Sequence, residues 1–140
     1  MILLDTNVIS EVMQLRPNPA VIAWLNAQPQ LSVWTSSVSV FEIEVGISAL
    51  PVGRRRSGLE AAFETLLEMV VENRIATFDF AAAREAARLQ DARRRAGQTG
   101  EWKDTMIAGI AIAQRATLAT RNTRHFDDLP TPVINPWDFK

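Results

Sequence analysis

The chain has 140 residues, 47% of them hydrophobic, which suits a single globular domain with a sizeable core. It has no cysteine and one histidine, which excludes disulfides, thiolate metal sites, a cysteine nucleophile and a multi-histidine zinc site within one chain. A net charge of −1 announces no bulk affinity for nucleic acid; no run reaches the ~18 apolar residues of a membrane span, and no signal-like segment opens the chain, so a cytoplasmic protein is expected.

The opening Ile2-Leu3-Leu4 followed by Asp5-Thr6-Asn7 predicts a buried parallel strand over residues 2–5 that stops at a carboxylate. A helix over 6–15 follows, ended by Arg16-Pro17-Asn18-Pro19, then a short helix over 18–27 stopped by Gln28-Pro29. Val33-Trp34-Thr35 is a strand and residues 37–49 a helix, stopped by Leu50-Pro51-Val52-Gly53. A long helix is expected over 57–73, with Ser57-x-x-Glu60 as a capping box. Residues 75–78 are a strand, Asp79 to Ala96 an Ala-rich helix, and Gly97-Gln98-Thr99-Gly100 a loop. A helix over 102–115 holds the longest apolar run, Met106 to Ala113, and short strands follow at 117–120 and 132–135. Helices between short apolar strands give an α/β fold: one domain over 1–140, with a short central parallel sheet flanked by helices.

Three acids stand out by position. Asp5 lies where a parallel strand ends, the edge of an open α/β sheet that carries ligands, although an Asp there also caps a helix. Asp104 sits in the first turn of its helix with Ile107, Ala108 and Ala111 on the same face, at the rim of the core, and there it also complements the helix dipole. The 37–49 helix is apolar almost all round and so expected to be largely buried, which leaves Glu42 and Glu44 needing partners. Periodicity does not choose between them, and Ser39-x-x-Glu42 has capping-box spacing. Carboxylates gathered at one end of a sheet repel one another unless a cation sits among them. With the histidine and cysteine counts above, that cation is a hard one on oxygen ligands, and the chemistry implied is metal-assisted hydrolysis of a phosphate ester. Two basic triplets, Arg54-Arg55-Arg56 and Arg93-Arg94-Arg95, with Lys103, Arg115, Arg121 and Arg124, could track a phosphate backbone or could be solvated helix faces, the expected reading for either triplet alone.

The order of motifs resembles that of PIN-domain ribonuclease toxins of the VapC/FitB type. Leu4-Asp5-Thr6-Asn7-Val8-Ile9-Ser10-Glu11 is similar to the first acidic motif of that family. Ser37-Val38-x-x-x-Glu42-Ile43-x-x-Gly46-Ile47 looks like the second and selects Glu42 over Glu44. Asp104-Thr105-Met106-Ile107-Ala108-Gly109-Ile110-Ala111 resembles the third. Leu118-Ala119-Thr120-Arg121-Asn122-Thr123-Arg124-His125-Phe126, with Val133-Ile134-Asn135-Pro136-Trp137, resembles the C-terminal signature. The resemblance implies an endoribonuclease dependent on Mg²⁺, or Mn²⁺ in its place, with Asp5, Glu42 and Asp104 as catalytic and metal-binding acids. Asn122 stands where some relatives carry an acid; it can ligate or orient a water but brings no charge, and Asp127 and Asp128 are not obvious replacements. Also implied are an RNA substrate, a cognate antitoxin whose tail packs in a groove and reaches the acidic pocket, and a homodimer, possible within a larger toxin–antitoxin assembly. His125 is expected as a surface imidazole, and Trp24, Trp34, Trp102 and Trp137 as core packing first. Two other functions compete: a catalytically weak PIN-like module binding RNA or protein, which Asn122 keeps open, and a small-molecule phosphohydrolase, which Asn7 disfavours because it is a poor general acid.

Overall fold

A computed structural model describes all of residues 1–140. Five strands form one parallel sheet: β1 (Ile2–Leu4), β2 (Val33–Ser36), β3 (Ile75–Ala76), β4 (Thr117–Ala119) and β5 (Val133–Ile134), in the order β3-β2-β1-β4-β5. Six α-helices connect and cover them: α1 (Thr6–Val12), α2 (Pro19–Asn26), α3 (Ser37–Ser48), α4 (Arg54–Thr65), α5 (Phe80–Arg95) and α6 (Trp102–Gln114). The α/β architecture follows from the apolar strands, whose alternate side chains enter two cores. Leu4 packs with Val8, Ile43, Phe63 and Leu66 on one face, and Leu3 with Leu89, Ile107, Ile110 and Phe126 on the other. No helix is long and apolar enough to cross a membrane.

Several boundaries differ from the sequence expectation, each for a local reason. Helix α1 stops at Val12, before the predicted 15, and leaves Leu15 fully exposed. Helix α4 starts at Arg54 behind Gly53, so Ser57 lies inside it and caps nothing. Its continuation is a π-helical turn over Leu66–Val70, which keeps Leu66 in the core as the helix closes. Helix α3 is capped by Ser36, whose hydroxyl accepts from the Ser39 amide, so Ser39-x-x-Glu42 is not a capping box. The helix is also less buried than its composition suggests: Val38, Ile43 and Ile47 face the cores, while Phe41 and Val45 are 61% and 49% exposed.

Helices α5 and α6 meet where Gly109 faces α5. A Cβ at that position would stand 2.5 Å from the Ala82 carbonyl oxygen and 2.7 Å from the Ala86 Cβ. The small residue therefore sets how closely α6 packs, and with it the placing of the first turn that carries Asp104.

The chain builds β1, β2 and β3 to one side and then crosses to place β4 against the other edge of β1. The crevice beyond the carboxyl ends of β1 and β4 lies at this switch in direction, where open α/β sheets place their ligands.

Candidate active site

Asp5 follows the last residue of β1 with an extended backbone and caps α1, its Oδ1 accepting from the Thr6 amide at 2.8 Å. Capping and a place in the crevice are thus compatible. Its other oxygen accepts from the Thr120 hydroxyl at 2.7 Å, and the Asn7 amide lies 3.4 Å away. Asn7 also reaches the Thr120 hydroxyl at 3.3 Å and accepts from the Arg121 amide at 3.2 Å. Asn7 is therefore a brace between β1 and β4.

Glu42 projects from the middle of α3. Its Oε1 accepts from the Thr6 hydroxyl at 2.9 Å, and its Oε2 lies 3.9 Å from the Lys103 Nζ. The Ser39 hydroxyl lies 2.9 Å from that of Thr6 and donates to it, since the one Thr6 proton goes to Glu42, and this ties α1 to the start of α3. Glu44, the alternative by periodicity, turns instead to an exposed groove with Arg56 and Glu60 on α4. Asp104, in the first turn of α6, accepts from His125 Nδ1 at 2.9 Å. His125 is exposed, as expected of a surface imidazole, yet it is engaged with an acid of the cleft.

These elements open on one cleft of about 490 Å³, lined by Asp5, Glu42, Asp104, Asn122 and His125, with Arg121 and Trp137 at its edge. All three predicted acids and Asn122 come together there. Asn122 is exposed, its amide donating to Thr120 Oγ1 at 3.1 Å, and Asp127 and Asp128 lie outside this lining. Thr120 is the site residue that sequence reasoning left without a role. The signal for it was a polar residue closing a buried strand, the same pattern that singled out Asp5.

The electrostatics are those of a crowded acidic site. Burial pushes the Asp5 carboxyl up from 3.8 to about 6; bonds from Thr120 and the Thr6 amide oppose this, and the Asp104 and Glu42 charges add to it. A hard divalent cation among these oxygens would relieve the conflict, and the donor set suits one. No three of the chain's acidic or histidine side chains stand close enough to share an ion as arranged. Glu42 is turned to Thr6 and Lys103, and Asp104 to His125, so joint ligation requires those side chains to rotate.

The basic groups divide. Arg93 is buried against Asp128, and Arg94 and Arg95, both exposed, share Asp91, so each arginine of the second triplet has an acidic partner within the chain, with one positive charge in excess. Arg56 pairs with Glu60, which leaves Arg54 and Arg55 as the exposed cations of the first triplet. Arg121 lies over the Trp137 ring at 5.1 Å, beside the cleft. Of the tryptophans, Trp24 is in the core and the half-buried Trp34 and Trp137 pack against the two cores, as expected, while Trp102 is 73% exposed, against that expectation.

Comparison with known proteins agrees with this layout. The PIN-domain family profile matches residues 2–131. The chain is similar to the plasmid stability protein StbB of Pseudomonas syringae pv. tomato (41% identity over 99% of both chains) and to the VapC ribonuclease Y4jK of Sinorhizobium fredii (36% over 99% of both). It is also similar to the toxin FitB of Neisseria gonorrhoeae (34% over 98% of this chain and 99% of that one). Among solved structures, FitAB bound to a DNA fragment superposes with a TM-score of 0.89 at 34% identity, covering 100% of this chain and 98% of that one. The FitAcB crystal structure from Neisseria gonorrhoeae gives 0.83 at 32% identity, covering 99% of this chain and 100% of that one. The chain belongs to the PIN-domain family.

Proposed function

We propose that the protein is a metal-dependent endoribonuclease acting as the toxin of a toxin–antitoxin pair in the cytoplasm. The observation that carries this is the meeting of Asp5, Glu42 and Asp104 from three separate elements at one polar cleft, on the carboxyl edge of the sheet. The relatives named VapC ribonuclease and toxin FitB, at 36% and 34% identity over nearly the whole chain, support the activity and the biological setting.

Asp5, Glu42 and Asp104 would hold Mg²⁺, or Mn²⁺ in its place. The ion would supply a polarising charge for a phosphoryl oxygen and acidify a bound water. The chain's own residues do the positioning. Thr120, Asn7 and the Thr6 amide fix both oxygens of Asp5, and Thr6 also orients Glu42. Lys103 faces Glu42 and the His125 imidazole bonds Asp104 in this arrangement, and both would turn from the acids toward substrate phosphates when an ion binds. Arg121, backed by Trp137, is placed to receive the RNA backbone at the mouth of the cleft. Asn122 would contribute a neutral donor and acceptor, so a second ion there would be held weakly.

Phe41 and Val45 on α3 and Trp102 on α6 give the chain exposed apolar surface of the kind that a homodimer or an antitoxin covers. A PIN-like module kept for binding alone is the competing assignment, favoured by the missing charge at Asn122. Incubating the purified protein with structured RNA in Mg²⁺ or Mn²⁺, and in EDTA, tests the proposal. Cleavage in metal and none in EDTA supports it, and intact RNA under both conditions favours the binding module.

A further inference from the structure

Arg93 lies in the last turn of α5, and its side chain is only 6% exposed, while Arg94 and Arg95 beside it are 78% and 77% exposed. Its Nε and Nη2 donate to the two oxygens of Asp128 at 2.8 and 2.9 Å, a bidentate pair. Nη2 also donates to the His125 carbonyl at 2.8 Å, and Nη1 to the Thr105 hydroxyl at 3.3 Å. The loop between α5 and α6 passes over the guanidinium at Gly100, where a Cβ would stand 3.2 Å from Nη1. One side chain thus joins α5, the first turn of α6 and the short 3-10 turn over Thr123–Phe126.

Cohesion alone does not call for an ion pair here, because well-packed apolar side chains commonly stabilise a buried site as well or better. What the planar guanidinium adds is direction. Two of the groups it holds adjoin the cleft: Thr105 follows Asp104, and His125 is the residue whose imidazole binds Asp104.

We propose that Arg93 is a positioning residue: through Asp128, the His125 carbonyl and Thr105, it sets the Asp104–His125 contact and hence the direction in which the Asp104 carboxylate faces the cleft. The consequence for metal binding rests on the nuclease assignment above; the consequence for the Asp104–His125 contact does not.

The test uses Asp128→Asn, which keeps shape and removes charge, and Arg93→Lys, which keeps charge and removes the fork. Because the chain has one histidine, its imidazole ¹⁵N signals report the Asp104 contact directly in metal-free protein at pH 8. Both variants should melt as folded proteins and shift the His125 Nδ1 signal toward that of a free neutral imidazole. Mn²⁺ affinity by calorimetry and kcat on RNA should each fall on the order of tenfold, with KM unchanged. If Arg93→Lys does not fold, Asp128→Asn decides alone. Variants that lose melting temperature but keep the parent's His125 signal and Mn²⁺ affinity would reduce Arg93 to a structural tie and overturn the proposal. If the parent itself binds no Mn²⁺, the nuclease assignment falls, and the His125 signal still decides whether Arg93 sets the Asp104–His125 contact.

Discussion

The Thr120 hydroxyl donates to the Asp5 carboxylate at 2.7 Å, joining two buried residues just beyond the ends of β1 and β4 that stand 115 positions apart in the chain. The bond exists because β1 and β4 pair in parallel register, Leu4 against Ala119, so the next residue of each emerges at the same level. It is the strongest of the influences that keep the Asp5 charge tolerable. Thr120→Val should therefore cost roughly 1–3 kcal/mol at pH 7 and raise the Asp5 pKa further. Thr120→Ser should restore most of both. Urea unfolding of the three proteins would show this, and a valine variant as stable as the parent would mean the bond contributes nothing net.

The raised Asp5 pKa makes stability depend on pH with a definite sign. The native state binds the Asp5 proton more tightly than the unfolded chain does, so its contribution is complete below 3.8 and is lost as pH rises through about 6. The full span is on the order of 3 kcal/mol. Metal-free protein should thus gain stability from this group between pH 7 and pH 4. Asp128, whose pKa is lowered by Arg93, acts oppositely, with stability present above 3.8 and lost at more acid pH. Asp5→Asn should flatten the first window and be more stable than the parent at pH 7 in EDTA. Unfolding curves across pH would contradict this if parent and variant ran parallel.

Gly109→Ala should destabilise the fold by about 1–3 kcal/mol, because the added methyl meets the Ala82 carbonyl and the α5 backbone, which cannot swing aside. The melting temperature should fall, and Asp104 should be displaced with α6, so metal affinity should fall too. Unchanged melting would show that the two helices separate without cost.

Asn122→Asp adds a carboxylate to a cleft already lined by Asp5, Glu11, Glu42, Glu101 and Asp104. It should tighten Mn²⁺ binding and lower the Mn²⁺ concentration needed for half-maximal cleavage, while reducing stability in EDTA through repulsion with the other acids. Both effects have one origin and should appear together in paired calorimetry and melting curves. If neither effect appeared, position 122 would lie outside the ion site.

Much of this arrangement is legible in the sequence because it is written in local patterns. Apolar runs ending in polar residues mark β1, β2 and β4, and Asp5 is readable as a strand-end acid before any fold is known. The choice of Glu42 over Glu44 is not readable from periodicity, because α3 carries apolar residues on nearly every face and only its tertiary setting separates the cleft side from the α4 side. Thr120 closes a buried strand as Asp5 does, but a threonine there also reads as an ordinary strand residue, and only the pairing of β4 with β1 gives its hydroxyl a partner. Arg93 escapes for the opposite reason: it sits in a run of three arginines that looks like a solvated face, and only Asp128, the His125 carbonyl and the close-passing Gly100 turn it inward. Trp102 shows that an aromatic residue at a helix start need not enter the core.

In the proposed nuclease, Asp5, Glu42 and Asp104 act together on RNA. The most direct test of this joint action compares cleavage of a structured RNA by the parent, Asp5→Asn and Asp104→Asn, each at equal folded concentration, in Mn²⁺ and in EDTA. The parent should cleave only in Mn²⁺, and each variant should lose at least about a hundredfold in rate while melting as a folded protein. A folded Asp5→Asn or Asp104→Asn protein that cleaves at the parent's rate, or a parent equally active in EDTA, would contradict it.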